Sequence, residues 1–360
     1  MTEPVVDKLL IIGSASVHTW RYLTGIAPHA REVYLACNGE VPAERRPANL
    51  AGTLKLDFRL AALGSAAKLR AWVQQIQPDL AHVHQANSVA WHASRGLRGL
   101  GIPLALTAWG SDVLLLPNQN ALMARMVKAN LAAADLITSD SLYMAARIRE
   151  LAPVKRLAVL NYGIDSLPPE PDVAAKPKKV LSCRLHKPLY RIDAILKGWA
   201  AIEAQPEFAD WSLTVAASGS ETEALKTLAE RLGLQRVTFA GFVSSEVLGA
   251  LYRDSRVFVS VPESDATSIS LLEAMGHGCL PLLSNLPANL EWAIDGLNGR
   301  IAEDVTRLGD DLARAMRDAA DDARLARIAA LNRGLVADKA LHVDNMAAFA
   351  ALYSELLQKP

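Results

Sequence analysis

The sequence predicts an α/β protein of two domains, each built on a parallel sheet. With 360 residues, the chain is long enough for two domains of ordinary size that each bury a core. In both halves, short apolar runs alternate with Ala-rich stretches of helical character, which is typical of a parallel sheet with helices on both faces. A stretch rich in proline and charge lies between the halves and is typical of a linker.

Composition narrows the class of protein. Hydrophobic residues make up 51% of the chain and charged residues 21%, so the chain is neither disordered nor of low complexity. The 38 basic residues balance the 38 acidic ones, and no long basic run is present. This balance disfavours nucleic acid as a partner.

The cysteines and the apolar runs predict a cytoplasmic protein. Cys37, Cys183 and Cys279 are widely spaced and form no CxxC pattern, so we interpret them as buried thiols of a reducing compartment rather than as disulfides or zinc ligands. The apolar run at residues 9–12 is too short for a signal-peptide core or a membrane span. At most, a peripheral contact with the cytoplasmic face of the inner membrane is expected.

In the first half, six strand-like runs are predicted at residues 9–12, 32–36, 80–83, 103–107, 135–138 and 157–161. Ligands of open parallel sheets bind at the carboxyl ends of the strands, where Gly13 and His84 lie. The Gly13 loop lacks the further glycines of a dinucleotide fingerprint, which removes the main support for hydride transfer. Alternation sends His82 and His84 to one face. The end position favours His84 as a functional residue, and the alternative is that both are buried, hydrogen-bonded histidines.

In the second half, strands are predicted at residues 179–182, 213–216, 257–261 and 280–284, and a strand with its following loop at 237–243. Helices are predicted over residues 289–294 and 344–357. After the strand at 257–261, a polar loop leads into a helix that Thr267 or Ser268 can cap. Free backbone N–H groups meet at such a helix start and form a natural anion site. Glu273, about one turn inside the helix, is suited to accept hydrogen bonds from two neighbouring hydroxyls, as on a ribose. Asp265 precedes it by eight positions and faces a second part of the ligand.

The segment from Ser264 to Met275, SDATSISLLEAM, with Gly278-Cys279-Leu280-Pro281 and the turn DGLNG at 295–299, resembles the donor-site signature of family 4 glycosyltransferases. These are retaining enzymes of the GT-B fold that use nucleotide sugars. The resemblance implies two Rossmann-like domains whose parallel sheets face a central cleft. It divides the chain into an acceptor domain (1–168), a linker (169–178), a nucleotide-sugar domain (179–342) and a C-terminal helix (343–360) that packs back on the first domain.

The resemblance also implies roles for individual residues. Arg184 and a second cation neutralise the donor diphosphate; Leu189 and Tyr190 stand where that cation is usual, so Lys187, slightly favoured, or Arg191 takes its place. Asp265 replaces the usual Glu that contacts the transferred sugar. The predicted catalytic residues are Asp265, Arg184, Lys187 and His84, and the predicted donor-binding residues are Glu273, Thr267, Ser268, Ile269, Ser270, Gly13, Phe242 and Arg191.

We therefore expect a retaining, metal-independent glycosyltransferase without a cofactor. Its expected donor is a UDP-sugar, although GDP stays open, and its expected acceptor is a glycan or a lipid-linked glycan of bacterial surface polysaccharide or lipopolysaccharide assembly. Two alternatives are a sugar-nucleotide epimerase of the same fold and a non-catalytic sugar-nucleotide-binding subunit. The sequence leaves the oligomeric state open.

Overall fold

The computed structural model of the protein describes residues 3–358. The chain divides into two compact units. The first unit consists of the residues up to Tyr162 together with those from His342 onward, and the second unit is Gly163–Leu341. Each unit holds one parallel sheet, of seven strands in the first and six in the second.

The first unit carries strands β1 (Val6–Gly13), β2 (Ala30–Cys37), β3 (Leu50–Lys55), β4 (Leu80–His84), β5 (Leu104–Thr107), β6 (Leu136–Ser139) and β7 (Leu157–Val159). Their order is β3-β2-β1-β4-β5-β6-β7. Helices α1 (Val17–Ile26), α2 (Ser65–Ile76), α3 (Ser88–Leu97), α4 (Ser111–Leu114), α5 (Ala121–Ala133) and α6 (Leu142–Leu151) alternate with them. All five residues of β4 are buried, because both faces of a central parallel strand are covered.

The second unit carries strands β8 (Lys179–Ser182), β9 (Ser212–Ala216), β10 (Val237–Gly241), β11 (Val257–Ser260), β12 (Leu280–Ser284) and β13 (Arg300–Ala302). Their order is β10-β9-β8-β11-β12-β13. The helices of this unit are α7 (Ile192–Glu203), α8 (Thr222–Arg231), α9 (Ser245–Arg253), α10 (Ile269–Gly276), α11 (Pro287–Leu290), α12 (Leu308–Ala320) and α13 (Asp322–Lys339).

Two edge strands were not predicted, and one predicted helix is shorter than expected. β3 and β13 each lie at the edge of a sheet. β3 alternates half-buried and exposed residues and contains a glycine, so it lacks an apolar run, and β13 has only 3 residues. The helix predicted over residues 289–294 is instead the four-residue α11, which begins at Pro287 because proline fits the first helical position. The amide of Ile294 is bonded to the Asn298 side chain at 2.7 Å rather than within a helix.

The stretch predicted as a linker packs against the second unit. The ammonium group of Lys176 donates to the carbonyls of Tyr252, Arg253 and Ser255 at 2.9–3.0 Å. Arg333 donates to the carbonyl of Pro168 at 2.9 Å. The observed division after Tyr162 therefore lies earlier than the predicted boundary at residue 168, because these hydrogen bonds tie the intervening residues to the second unit.

The last helix, α14 (His342–Leu357), belongs to the first unit. Its apolar residues Met346, Phe349 and Tyr353 are buried with the residues of α1 and β1 in one core. The side chain of Asn345 donates to the Asn161 carbonyl at 3.0 Å, which fixes the start of the helix. Among residues 3–358, none of the helices is both long enough and apolar enough to cross a bilayer.

Candidate active site

The two hydroxyl groups that were predicted to cap α10 bond to other side chains instead. Ser268 occupies the predicted N-cap position with an extended backbone, but its side chain makes no capping hydrogen bond. The Ser268 hydroxyl instead accepts from Arg184 at 2.8 Å and lies 2.8 Å from the Ser270 hydroxyl. The hydroxyl of Thr267, the other predicted cap, accepts from the indole of Trp292 at 3.2 Å. The backbone N–H groups at this helix start thus keep the character of an anion site.

Arg184, just after β8, is held from several sides. Its Nη1 donates to the carboxylate of Asp265 at 2.6 Å and lies 3.4 Å from the Ser260 hydroxyl. The ring of Tyr190 lies under the guanidinium, with 4.4 Å from its carbon to the ring centroid. Burial opposes the charge on Arg184, but Asp265 and Tyr190 together outweigh that effect and raise the pKa of the guanidinium. A permanently charged, oriented cation therefore lies beside the start of α10.

Asp265 forms an ion pair with Arg184 in which both side chains are largely buried, with exposures of 18% and 11%. The second carboxylate oxygen of Asp265 accepts from the backbone N–H of Ala266 at 3.1 Å. The structure therefore brings two predicted catalytic residues together. The role predicted for Asp265, contact with the transferred sugar, stays a prediction.

The two candidates for the second cation, Lys187 and Arg191, line a cavity of about 850 Å³ together with Glu263. Lys187 is exposed. Arg191 precedes α7 with a left-handed backbone (φ 49°), and its Nε lies 3.6 Å from the Glu263 carboxylate. Arg191 thus has an acidic neighbour, as Arg184 does, and its buried Nε makes no hydrogen bond among residues 3–358. The preference for Lys187 as the second cation stays a prediction.

Glu273 lies on α10, one turn beyond Ile269, and is half-buried. Its Oε2 accepts a hydrogen bond from the hydroxyl of the buried Tyr252 at 3.1 Å. Both residues line a cavity of about 360 Å³ whose wall also includes Leu248 of α9. The carboxylate is therefore oriented by the core on one side and adjoins a cavity on another.

Phe242 follows β10 directly and is 80% exposed, which is unusual for a large apolar side chain. The neighbouring loop after β9 begins at Ala217. Ala217 has a left-handed backbone (φ 72°), which glycine adopts without strain. At Gly219, an added Cβ would lie 2.4 Å from the carbonyl oxygen of His186, so the two loops require glycine to approach this closely.

In the first unit, the hydrogen bonds of His82 and His84 distinguish two histidines that the sequence alone did not. The Nδ1 of His82 lies 2.9 Å from the hydroxyl of Tyr22, and its Nε2 lies 2.7 Å from the hydroxyl of Thr107. His84 uses Nδ1 with Tyr162 at 2.9 Å, whereas its buried Nε2 has no hydrogen-bond partner within residues 3–358. His82 is thus a satisfied core residue, and His84 retains one unused ring nitrogen.

Gly13 lies beside His84. A Cβ added at Gly13 would be 3.0 Å from the side chain of Thr19 and 3.6 Å from the Cβ of His84. The loop after Gly13 is tied to the end of β4 by a hydrogen bond of 3.0 Å from Ser14 to Gln85. The carboxyl ends of β1 and β4 therefore bring the two predicted residues of this unit together.

Burial lowers the pKa of His84 to about 3, with a smaller contribution from His18. His84 is therefore neutral at pH 7, and its Nε2 is suited to hydrogen bonding rather than to charge. Since the unfolded chain binds the proton near pH 6.5 and the folded chain does not, stability is fully present above about pH 7 and is lost as the pH falls towards 3.

We expect His84→Gln to lose less stability than the wild type when the pH is lowered from 7.5 to 5.0. The difference is on the order of 2 kcal/mol, because 1.5 pH units below 6.5 correspond to that energy. Urea unfolding at the two pH values measures it. An equal decrease in both proteins would contradict the assignment of a neutral, buried imidazole.

Four residues of these sites were not predicted: Tyr190, Tyr252, Tyr162 and Ser260. Each contacts a predicted residue: Tyr190 through its ring face, and the other three through a hydroxyl group. Tyr190 was passed over because it carries no charge, yet a ring face beside a guanidinium is a usual arrangement. The sequence offered no signal for the other three, because their partners are distant along the chain.

The two parallel-sheet α/β units define a protein of the GT-B fold. Sequence models of glycosyltransferases match both units: one described as Glycosyl transferase 4-like matches residues 8–141, and one described as Glycosyl transferases group 1 matches residues 164–331. The chain belongs to the family of GT4-type glycosyltransferases.

Individual proteins that resemble this chain share less than a third of their residues with it over the matched segments. The chain is 29% identical over 160 residues to the GDP-mannose:cellobiosyl-diphosphopolyprenol alpha-mannosyltransferase of Xanthomonas oryzae pv. oryzae, a match that covers 42% of this chain and 40% of that protein. It is 26% identical over 161 residues to the serotype-specific mannosyltransferase WbdA of Escherichia coli, covering 43% of this chain and 20% of WbdA. The chain thus matches less than half the length of these curated relatives. The Anabaena protein HepE, solved with UDP, superposes with a TM-score of 0.79 at 15% identity, covering 97% of this chain and 100% of HepE.

Proposed function

We propose that the protein is a retaining glycosyltransferase that moves a sugar from a nucleoside diphosphate sugar to a glycan or lipid-linked acceptor. One observation carries the proposal: the charged guanidinium of Arg184 is fixed by Asp265 and Ser268 at the start of α10, one turn before Glu273. Family membership supports the reaction type.

The cluster suits the stabilisation of a departing diphosphate. Negative charge develops on the bridging oxygen as the glycosidic bond to the donor breaks, and fixed donors aimed at that charge lower the barrier. Arg184 supplies a cation, and the first N–H groups of α10 supply further donors together with the positive end of the helix dipole. Lys187 adds a second cation. With these groups, the leaving diphosphate is neutralised without a metal ion.

Glu273 binds the donor ribose in this proposal. Two adjacent hydroxyls donate to one carboxylate, and such charge-assisted hydrogen bonds are about twice as strong as neutral ones. The base then lies near Phe242. We expect UDP as the nucleotide, in line with HepE, which was solved with UDP. GDP is the competing expectation, because one curated relative is a GDP-mannose-dependent enzyme.

We assign acceptor binding to the first unit, at Gly13 and His84. The unused Nε2 of the neutral His84 is suited to hold one sugar hydroxyl. Attack on the same face as the leaving group gives retention. One curated relative acts on cellobiosyl-diphosphopolyprenol, and another is a serotype-specific mannosyltransferase. These names are in line with surface polysaccharide or lipopolysaccharide assembly as the setting, and we place the protein at the cytoplasmic face of the inner membrane as part of the proposal.

A thermal-shift panel of UDP, GDP, ADP and CDP, each with and without EDTA, tests the proposal. A ligand at about 100 times its dissociation constant stabilises the native state by roughly 2.7 kcal/mol. We therefore expect one diphosphate to raise the melting temperature by several degrees, and we expect EDTA to leave the shift unchanged.

The matching nucleotide sugars are then incubated with undecaprenyl-linked or free glycan acceptors, and the product is analysed by mass and by the proton coupling at the anomeric carbon. A larger acceptor with the anomeric configuration of the donor supports retaining transfer. Conversion of the donor without an acceptor indicates an epimerase, and nucleotide binding without turnover indicates a binding subunit. Absence of any nucleotide shift contradicts the donor site.

A further inference from the structure

A buried chain of polar groups lies behind the carboxylate of Glu273. The hydroxyl of Tyr252 lies 3.1 Å from Glu273 Oε2 and 3.2 Å from the sulfur of Cys183. Tyr252 is only 1% exposed, so water does not compete for these contacts. Core packing alone does not explain a tyrosine at position 252. A phenylalanine would fill the same volume without burying a hydroxyl group that needs a hydrogen-bond partner.

The direction of these hydrogen bonds follows from chemistry. A carboxylate only accepts, so the Tyr252 hydroxyl donates to Glu273. The phenol oxygen can then accept from the Cys183 thiol. Burial raises the pKa of Tyr252 well above its usual value and raises the pKa of Cys183 to about 12. Both groups therefore keep their protons at neutral pH, and the chain runs from thiol to phenol to carboxylate.

Both the ring and the backbone of Tyr252 are held by neighbouring side chains. It stacks on the imidazole of His277, with 5.4 Å between ring centroids and an angle of 15°. Its backbone carbonyl accepts from the ammonium group of Lys176 at 3.0 Å. The sulfur of Cys279 also donates to this carbonyl, at 3.3 Å. The phenol is thus a positioned donor to the carboxylate of Glu273.

We propose that Tyr252 is a positioning residue for donor binding: it holds the Glu273 carboxylate in the orientation that receives the ribose hydroxyls. This inference rests on the proposed function of Glu273. Cys183 extends the arrangement, because it is bonded to the phenol and directly precedes Arg184 in the chain. The ribose-binding and diphosphate-binding groups are thereby linked through the core of one unit.

The test compares Tyr252→Phe with the wild type, using UDP and 2′-deoxy-UDP, or GDP and 2′-deoxy-GDP if GDP is the nucleotide that stabilises the wild type. We expect the variant to bind the ribonucleotide roughly tenfold more weakly, the effect of losing one hydrogen bond to a charged group. Removing the 2′-hydroxyl from the nucleotide is expected to weaken its binding less in the variant than in the wild type. In transfer assays, KM for the donor rises while kcat changes by less than about threefold.

Tyr34→Phe is the matched control. The hydroxyl of Tyr34 also donates to a glutamate, Glu32, at 2.7 Å, but it does so in the first unit. We expect this variant to bind both nucleotides like the wild type. Cys183→Ala should weaken ribonucleotide binding less than Tyr252→Phe does, and Cys183→Ser, which keeps a donor, should restore wild-type affinity.

The outcomes separate the two proposals. If the wild type binds a nucleotide and Tyr252→Phe binds it equally well, with the same preference for ribose, the positioning role is overturned while the donor site stands. If the wild type binds no nucleotide, the donor site is overturned and the positioning role with it. If Tyr252→Phe is unstable, the affinities of the Cys183→Ala and Cys183→Ser variants decide: equal affinities overturn the proposal.

Discussion

Replacing Arg184 by alanine is expected to reduce the rate of sugar transfer by roughly two to three orders of magnitude, the usual effect of removing one donor to developing negative charge. Arg184 is the fixed cation at the start of α10, and it is held in place by the carboxylate of Asp265 at 2.6 Å. We expect the loss in kcat to exceed the change in KM, because the charge on the bridging oxygen grows in the transition state. Steady-state kinetics with the preferred donor measures both constants.

The variant also leaves the largely buried carboxylate of Asp265 without its partner, which costs on the order of 3 kcal/mol of stability. The double variant Arg184→Ala with Asp265→Asn removes that charge and should regain stability without regaining activity. Arg317→Ala is the matched control, since Arg317 is an exposed arginine of the same unit that pairs with Glu207. Full activity of Arg184→Ala would contradict the assignment, as would recovery of activity in the double variant.

Replacing Glu273 by alanine is expected to abolish the stabilisation of the protein by its nucleotide. Two charge-assisted hydrogen bonds to the ribose hydroxyls are lost, which corresponds to roughly a hundredfold or greater loss of affinity. Transfer should be severely impaired while the fold is retained, because Glu273 is half-buried and adjoins a cavity rather than filling the core. Thermal shift with the preferred diphosphate measures the affinity, and circular dichroism verifies the fold.

Two further variants sharpen the result for Glu273. Glu273→Gln keeps one acceptor oxygen and should retain part of the affinity. Glu230→Ala removes an exposed glutamate of α8 in the same unit and should bind like the wild type. A Glu273→Ala protein that is folded, active and still stabilised by the nucleotide would show that the ribose is bound elsewhere.

Much of the fold follows from local patterns. The run at residues 280–284 matches β12 residue for residue, since its five residues are apolar or small and all are buried. The amphipathic spacing of α14 likewise placed its core-facing residues correctly. Edge strands such as β3 escape this reasoning because one side of an edge strand has no partner, so its sequence need not be apolar.

The candidate site also has features that local sequence predicts and features that depend on distant residues. A strand, a polar loop and a helix start can be recognised in a short segment, and they placed Glu273 correctly on α10 and Ser268 at its N-cap position. The hydroxyl of Ser268 was predicted to cap the helix, but it bonds to Arg184, which is 84 positions away. The choice between cap and ion-pair partner depends on which side chain β8 presents to the loop, and the segment itself does not contain that information.

The sequence by itself determined the two parallel sheets, the helix start that carries the anion site, and the residue types available for catalysis. These depend on periodicity, on apolar runs and on residues close together in the chain. The tertiary structure decided which of these residues meet. It left the Nε2 of His84 without a hydrogen-bond partner among residues 3–358, whereas it gave the Nε2 of His82 one. It also placed the phenol of Tyr252 against Glu273, which lies 21 positions further along the chain. Such contacts depend on sheet order and helix packing, which bring distant segments together, so no local pattern encodes them.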